Sequence, residues 1–163
     1  MFDAALLDQA RDVLDAARAK NIRIVTAESC TGGLIAALLT EIPGSSNVVE
    51  RGFVTYSNEA KEELLGVPSA LLRKYGAVSE AVARAMADGA LRHARAQLAI
   101  AVTGIAGPGG GSAEKPVGLV YVALADGHNT SSHEYRFGDV GRSQVRLATV
   151  REALKLLSDA VSR

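Results

Sequence analysis

Apolar residues recur at three- and four-residue spacing from Leu6 through Leu7, Ala10, Val13 and Leu14 to Ala17, with charged residues between them, which predicts an amphipathic first helix. Ile22 to Val25 is too short for a helix and rich in β-branched residues, so it reads as a buried strand. Thr26 to Gly33 follows as a tight polar turn. A second helix then presents Leu34, Ile35, Leu38, Leu39 and Ile42 before Pro43-Gly44-Ser45-Ser46 stops it. Gly52 to Tyr56 predicts another strand, and Ser57-Asn58 opens a helix containing Lys61, Leu64 and Leu65 that Gly66-Val67-Pro68 ends.

A short helix over 69–75 leads to a longer one starting at Ser79, with Val82, Met86, Ala90 and Ala94 inward; its alanines and Gly89 predict close packing against a sheet. Leu98 to Val102 is continuously apolar, as in a central strand covered on both faces, and delivers Thr103 to a loop. That loop, Gly104 to Ser112, holds five glycines and a proline. Strands over 117–125 and 131–137, joined by Asp126-Gly127-His128-Asn129, predict an antiparallel hairpin. The last helix, 141–161, puts Leu147, Val150, Leu154, Leu157 and Val161 on one stripe and Arg142, Arg146, Arg151 and Lys155 on other faces. Strands interleaved with helices, plus one hairpin, predict an α/β fold: a single three-layer α/β/α domain over residues 1–163 with a mixed β-sheet.

Composition narrows the class. With 163 residues, 48% hydrophobic, the chain suffices for one sizeable core. Its 18 basic residues balance 18 acidic ones, which argues against nucleic acid or an anionic membrane and leaves a small molecule as the expected partner. A single cysteine, Cys30, allows no internal disulfide and fits a reducing compartment. Without a secretory pattern or a spanning run, the cytoplasm is the expected location. A homo-oligomer is compatible with all of this.

The chemistry centres on the turn at Ser29. A strand-turn-helix junction places a hydroxyl at the carboxyl edge of a sheet, with the N–H groups of the following helix aimed at the same spot. The plainer reading is that Ser29 or Thr31 caps the helix. A serine nucleophile needs a base, and His93, His128 and His133 are poorly placed. Lys61 is the alternative; its free pKa of ~10.4 requires an enclosed site. Beside Glu62 and Glu63 it reads more readily as a solvated helix charge. Ser57, four residues before Lys61, is a rival nucleophile or a helix cap, and Cys30 is either a thiolate or a small buried residue. The glycine loop lacks a P-loop ending, and no metal-ligand spacing occurs.

Four stretches taken together resemble one family: Thr26-Ala27-Glu28-Ser29-Cys30-Thr31-Gly32-Gly33, Thr55-Tyr56-Ser57-Asn58-Glu59-Ala60-Lys61, Gly76-Ala77-Val78-Ser79 and Thr103-Gly104-Ile105-Ala106-Gly107-Pro108-Gly109-Gly110. In this order they are similar to the CinA C-terminal domain family, the nicotinamide-nucleotide amidohydrolases, and the likeness covers nearly the whole chain. The resemblance implies conversion of nicotinamide mononucleotide to nicotinic acid mononucleotide and ammonia, a step of pyridine nucleotide salvage, without a cofactor or metal. It makes Ser29 the nucleophile, Lys61 the general base and Tyr56 a supporting hydroxyl. Cys30, Thr31, Gly32 and Gly33 become substrate-binding residues, the N–H groups at Cys30 to Gly32 being candidates for an oxyanion hole. Thr103 and Gly104 are expected to line the pocket and Arg142 to hold the phosphate. Many members of the family carry a further N-terminal domain of a molybdopterin-binding type, whose activities are not carried over to these residues. A non-catalytic nucleotide-binding or regulatory module with the same pocket is the alternative, and a hydrolase of another small amide is a weaker one.

Overall fold

A computed structural model describes all 163 residues. Helix α1 (Ala4–Ala19) begins at Asp3, whose carboxylate accepts the Leu6 N–H at 2.8 Å, and buries Leu6, Ala10, Val13, Leu14 and Ala17. Then follow β1 (Ile24–Glu28), α2 (Leu34–Thr40), β2 (Val49–Val54), α3 (Asn58–Leu65), α4 (Ser69–Tyr75), α5 (Glu80–Arg92), β3 (Leu98–Gly104), β4 (Leu119–Ala125), β5 (Thr130–Arg136) and α6 (Arg142–Val161). No helix is long and apolar enough to cross a membrane.

The five strands form one mixed sheet in the order β2-β1-β3-β4-β5, with β1 parallel to β2 and β3, and β4 and β5 antiparallel. Side chains alternate across the central strands. Ile24, Ile100, Val102, Val120, Val122 and Leu124 pack with α1, α2 and α6; Ala27, Ala99, Ala101, Ala123 and Ala125 face the opposite layer. That second face is lined with small residues, which lets Ala83, Ala87 and Ala90 of α5 lie close to it. The predicted three-layer α/β/α architecture is the observed one.

Several boundaries move. Strand β1 runs on through Thr26, Ala27 and Glu28, all fully buried, so the turn starts at Ser29 rather than Thr26. β3 likewise includes Thr103 and Gly104, which pair with Tyr121 and Val120 of β4 and are not loop residues. Helix α5 ends before Ala94. On α6 the inward place at the first turn goes to Val145, and Leu147 is only half-buried. Gly89 meets α3, not the sheet: a Cβ there would lie 1.9 Å from the Leu65 carbonyl oxygen. Gly89→Ala is therefore expected to destabilise the chain by ~1–3 kcal/mol, read as a lower urea midpoint at unchanged slope.

Candidate active site

The fold creates a crevice where β1 and β3 end side by side and their connections diverge, β1 leading through α2 to β2 and β3 leading to β4 on the opposite side. Ser29 is the first residue beyond β1. Its backbone is held by its own N–H donating to the Val102 carbonyl at 3.0 Å, and beside it the Thr55 N–H donates to the Glu28 carbonyl at 2.9 Å. Both neighbouring strands thus fix the point from which its hydroxyl projects.

Lys61 comes from α3. Ser57 caps that helix by accepting the Ala60 N–H at 3.0 Å, so capping, not nucleophilic attack, is what its hydroxyl is placed for. One turn on, Lys61 and Leu65 form the inward face. Lys61 is only 1% exposed, and its Nζ lies 2.9 Å from Ser29 Oγ, 2.8 Å from the Thr55 carbonyl oxygen and 3.4 Å from that of Tyr56. No carboxylate pairs with it. Burial lowers its pKa from the ordinary lysine value. A neutral amine has two N–H donors and one lone pair, which matches two carbonyls and one serine hydroxyl. In that state Ser29 O–H donates to Lys61.

The cavity above the pair measures about 220 Å³ and is lined by Ser29, Cys30, Tyr56, Lys61, Ala77, Val78, Thr103, Gly104 and Ala106. Thr103 donates its hydroxyl to the Ala77 carbonyl at 2.9 Å, joining β3 to the segment before α5. Gly104 has no room for a side chain, since a Cβ would come within 2.6 Å of Val120. Burial pushes the Cys30 thiol up to about 12, so it is no thiolate nucleophile.

The family model of the CinA C-terminal domain matches residues 7–161. The chain belongs to that family. A CinA-like protein of Geobacter sulfurreducens is 56% identical over 140 residues, covering 86% of this chain and 34% of that protein. For one of Syntrophus aciditrophicus the identity is 52% over 138 residues, covering 85% and 33%. The chain thus spans about a third of the length of these relatives. The crystal structure of the competence/damage inducible protein CihA from Agrobacterium tumefaciens superposes with a TM-score of 0.97 at 54% identity, covering 100% of this chain and 99% of that one. The competence damage-inducible protein A of Klebsiella pneumoniae gives 0.93 at 37% identity, covering 97% and 98%.

Within this CinA domain the remaining residues named from sequence fall into two groups. Tyr56 lines the cavity and Arg142, which does not, reaches it through Tyr56: Arg142 Nη2 donates to the Tyr56 hydroxyl at 2.7 Å, and its Nη1 donates to the Gly107 carbonyl at 2.8 Å. Tyr56 is 61% exposed, and its hydroxyl is engaged with Arg142 rather than with Ser29 or Lys61. Thr31, Gly32 and Gly33 do not border the cavity. Left-handed backbone at Gly32 (φ 58°) and Gly33 (φ 101°) turns the chain aside, and the Thr31 hydroxyl points inward to Glu28.

Nor does α2 aim its N–H groups at the serine, as the strand-turn-helix pattern predicts. Ile35 and Ala36 donate theirs to the buried Glu28 carboxylate at 2.8 and 3.1 Å, and Gly33, not Ser29 or Thr31, occupies the cap position. The Gly32 N–H is also engaged, on the Ser29 carbonyl at 3.0 Å. Two residues around the turn went unassigned in the sequence, Glu28 and Arg146. A carboxylate ending an apolar strand was the available signal for the first. Nothing in the pattern of α6 singled out the second.

Proposed function

We propose that this chain is an amidohydrolase that converts nicotinamide mononucleotide to nicotinic acid mononucleotide and ammonia. What carries this reading is a buried lysine amine without a carboxylate partner, 2.9 Å from a serine hydroxyl that lines a small pocket. Lys61 takes the Ser29 proton as Oγ attacks the carboxamide carbon, and the developing oxyanion is met by the N–H of Cys30, a residue that lines the cavity and whose N–H donates to no other residue of the chain. Collapse breaks the C–N bond while Lys61 returns the proton to nitrogen, releasing ammonia. Water, deprotonated by Lys61, then cleaves the ester, and the proton goes back to Ser29.

The choice of substrate draws on the family resemblance and on the shape of the site. A cavity of about 220 Å³ with Ala77, Val78 and Ala106 on its walls suits a planar pyridine ring and its carboxamide. Ribose and phosphate then extend past Tyr56 to Arg142, a fork suited to a phosphate. Ammonia release from nicotinamide mononucleotide and from nicotinamide riboside tests both parts. The nucleotide is expected to be the better substrate, and Arg142→Met is expected to raise its KM roughly tenfold or more while changing the riboside little. Tight binding of the nucleotide with no ammonia released would instead mark a binding module, and turnover of other amides alone would mark a different hydrolase.

A further inference from the structure

Thr103 lines the same cavity as Ser29, and attack assisted by Lys61 leaves its hydroxyl without a task. Its position follows from the sheet. β1 and β3 run parallel with Ala27 opposite Ala101 and Glu28 opposite Val102, and the Ser29 N–H continues that ladder by donating to the Val102 carbonyl at 3.0 Å. The next pair in register is therefore Ser29 and Thr103, whose Cα atoms lie about 5 Å apart. Side chains alternate along both strands. Ala27 and Ala101 face the α5 layer, so Ser29 and Thr103, two residues on, face it too. Their partners lie on that side: Lys61 on α3, whose Leu65 packs with α5, and Ala77 just before α5.

A hydroxyl has one proton and two lone pairs. Thr103 gives its proton to the Ala77 carbonyl at 2.9 Å, and no other group of the chain donates to that carbonyl, so turning the hydroxyl away would leave it unpaired. Toward the cavity Thr103 thus offers lone pairs only. The other polar side chains there are committed, Ser29 and Lys61 to each other and Tyr56 to Arg142. A primary carboxamide brings the N–H2 group that such an acceptor needs. The carboxylate product brings only acceptors and sets lone pair against lone pair. We propose that Thr103 is the specificity-determining residue that selects a primary carboxamide, accepting one of its N–H groups and repelling the carboxylate that hydrolysis leaves. The same lone pair holds the departing nitrogen while Lys61 delivers its proton. This deepens the amidohydrolase reading of the site and rests on it.

The test compares nicotinamide mononucleotide with the methyl ester of nicotinic acid mononucleotide, which Ser29 can attack with release of methanol but which offers Thr103 no N–H. Thr103→Val, similar in volume, removes the acceptor. Its kcat/KM for the amide is expected to fall roughly tenfold to hundredfold and that for the ester much less, so the amide-to-ester ratio drops roughly tenfold or more. Thr103→Ser, which keeps the hydroxyl, should hold the ratio near wild type. A ratio unchanged in folded Thr103→Val, or lost in Thr103→Ser, overturns the inference, because damage to the Ala77 segment would lower both substrates alike. A second measurement needs no change at Thr103. Titration calorimetry on Ser29→Ala, which binds without turnover, should show nicotinamide mononucleotide bound roughly tenfold or more tighter than nicotinic acid mononucleotide. Equal or tighter binding of the acid also overturns the inference, whether or not Thr103→Val folds. Wild-type chain that releases neither ammonia nor methanol would instead sink the amidohydrolase reading, leaving the calorimetry to judge Thr103.

Discussion

Ser29→Ala is expected to reduce ammonia release from nicotinamide mononucleotide by a factor on the order of 10⁴ or more, while circular dichroism and thermal unfolding stay close to wild type. The size follows from losing the bond-forming atom itself: cavity walls and the oxyanion donor remain, but no acyl-enzyme forms. Folding is spared because the Ser29 side chain packs little. Its only hydrogen bond is to Lys61, and the backbone bonds that fix the turn survive in alanine. The measurement is a coupled ammonia assay beside a melting curve, and near-normal turnover in a folded variant would remove Ser29 from the mechanism.

Lys61→Met separates stability from activity. Loss of the base should cost on the order of 10³-fold or more in kcat, since general-base help of 10²–10⁴ disappears together with the proton return to ammonia. Stability should move the other way. Burial lowers the Lys61 pKa below 10.5, so between its folded value and 10.5 the unfolded chain binds more protons than the folded one. Stability of the wild type therefore rises with pH through that window, and the penalty is fully present below it. Methionine fills the same apolar path with no charge to desolvate. A gain of ~1 kcal/mol near neutral pH is expected, or about 2–4 °C in Tm for a chain of this size, together with loss of the slope. In the active enzyme the same titration makes kcat/KM rise with pH as the free amine forms, with its inflection below 10.5. A profile flat across that range, or an active Lys61→Met, would exclude lysine as the base.

Both predictions turn on a residue whose place was only half legible in the chain. Local periodicity located α3 and its Ser57 cap correctly, and the four motifs in order pointed to Ser29 and Lys61 through their resemblance to CinA domains. The pattern around Lys61 itself, flanked by Glu62 and Glu63, favoured a solvated charge. Its burial depends on β2 pairing alongside β1, which carries α3 over the end of the neighbouring strand. Arg146 is the same case at longer range. On α6 it belongs to a polar face, and only the packing of α6 beside the turn brings it to Cys30 and Thr31, 116 and 115 positions earlier.

Glu28 shows the reverse error. Strand-turn-helix logic assigned the N–H groups of α2 to an incoming anion, whereas the chain supplies its own carboxylate to Ile35 and Ala36. By itself the sequence determined the order of helices and strands, the hairpin, the apolar run of β3 and the family, because these rest on interactions between near neighbours and on composition. Tertiary structure alone decided which charges are buried, which N–H groups stay free and which side chains meet. Those outcomes depend on desolvation and hydrogen-bond partners that exist only once distant segments have packed together.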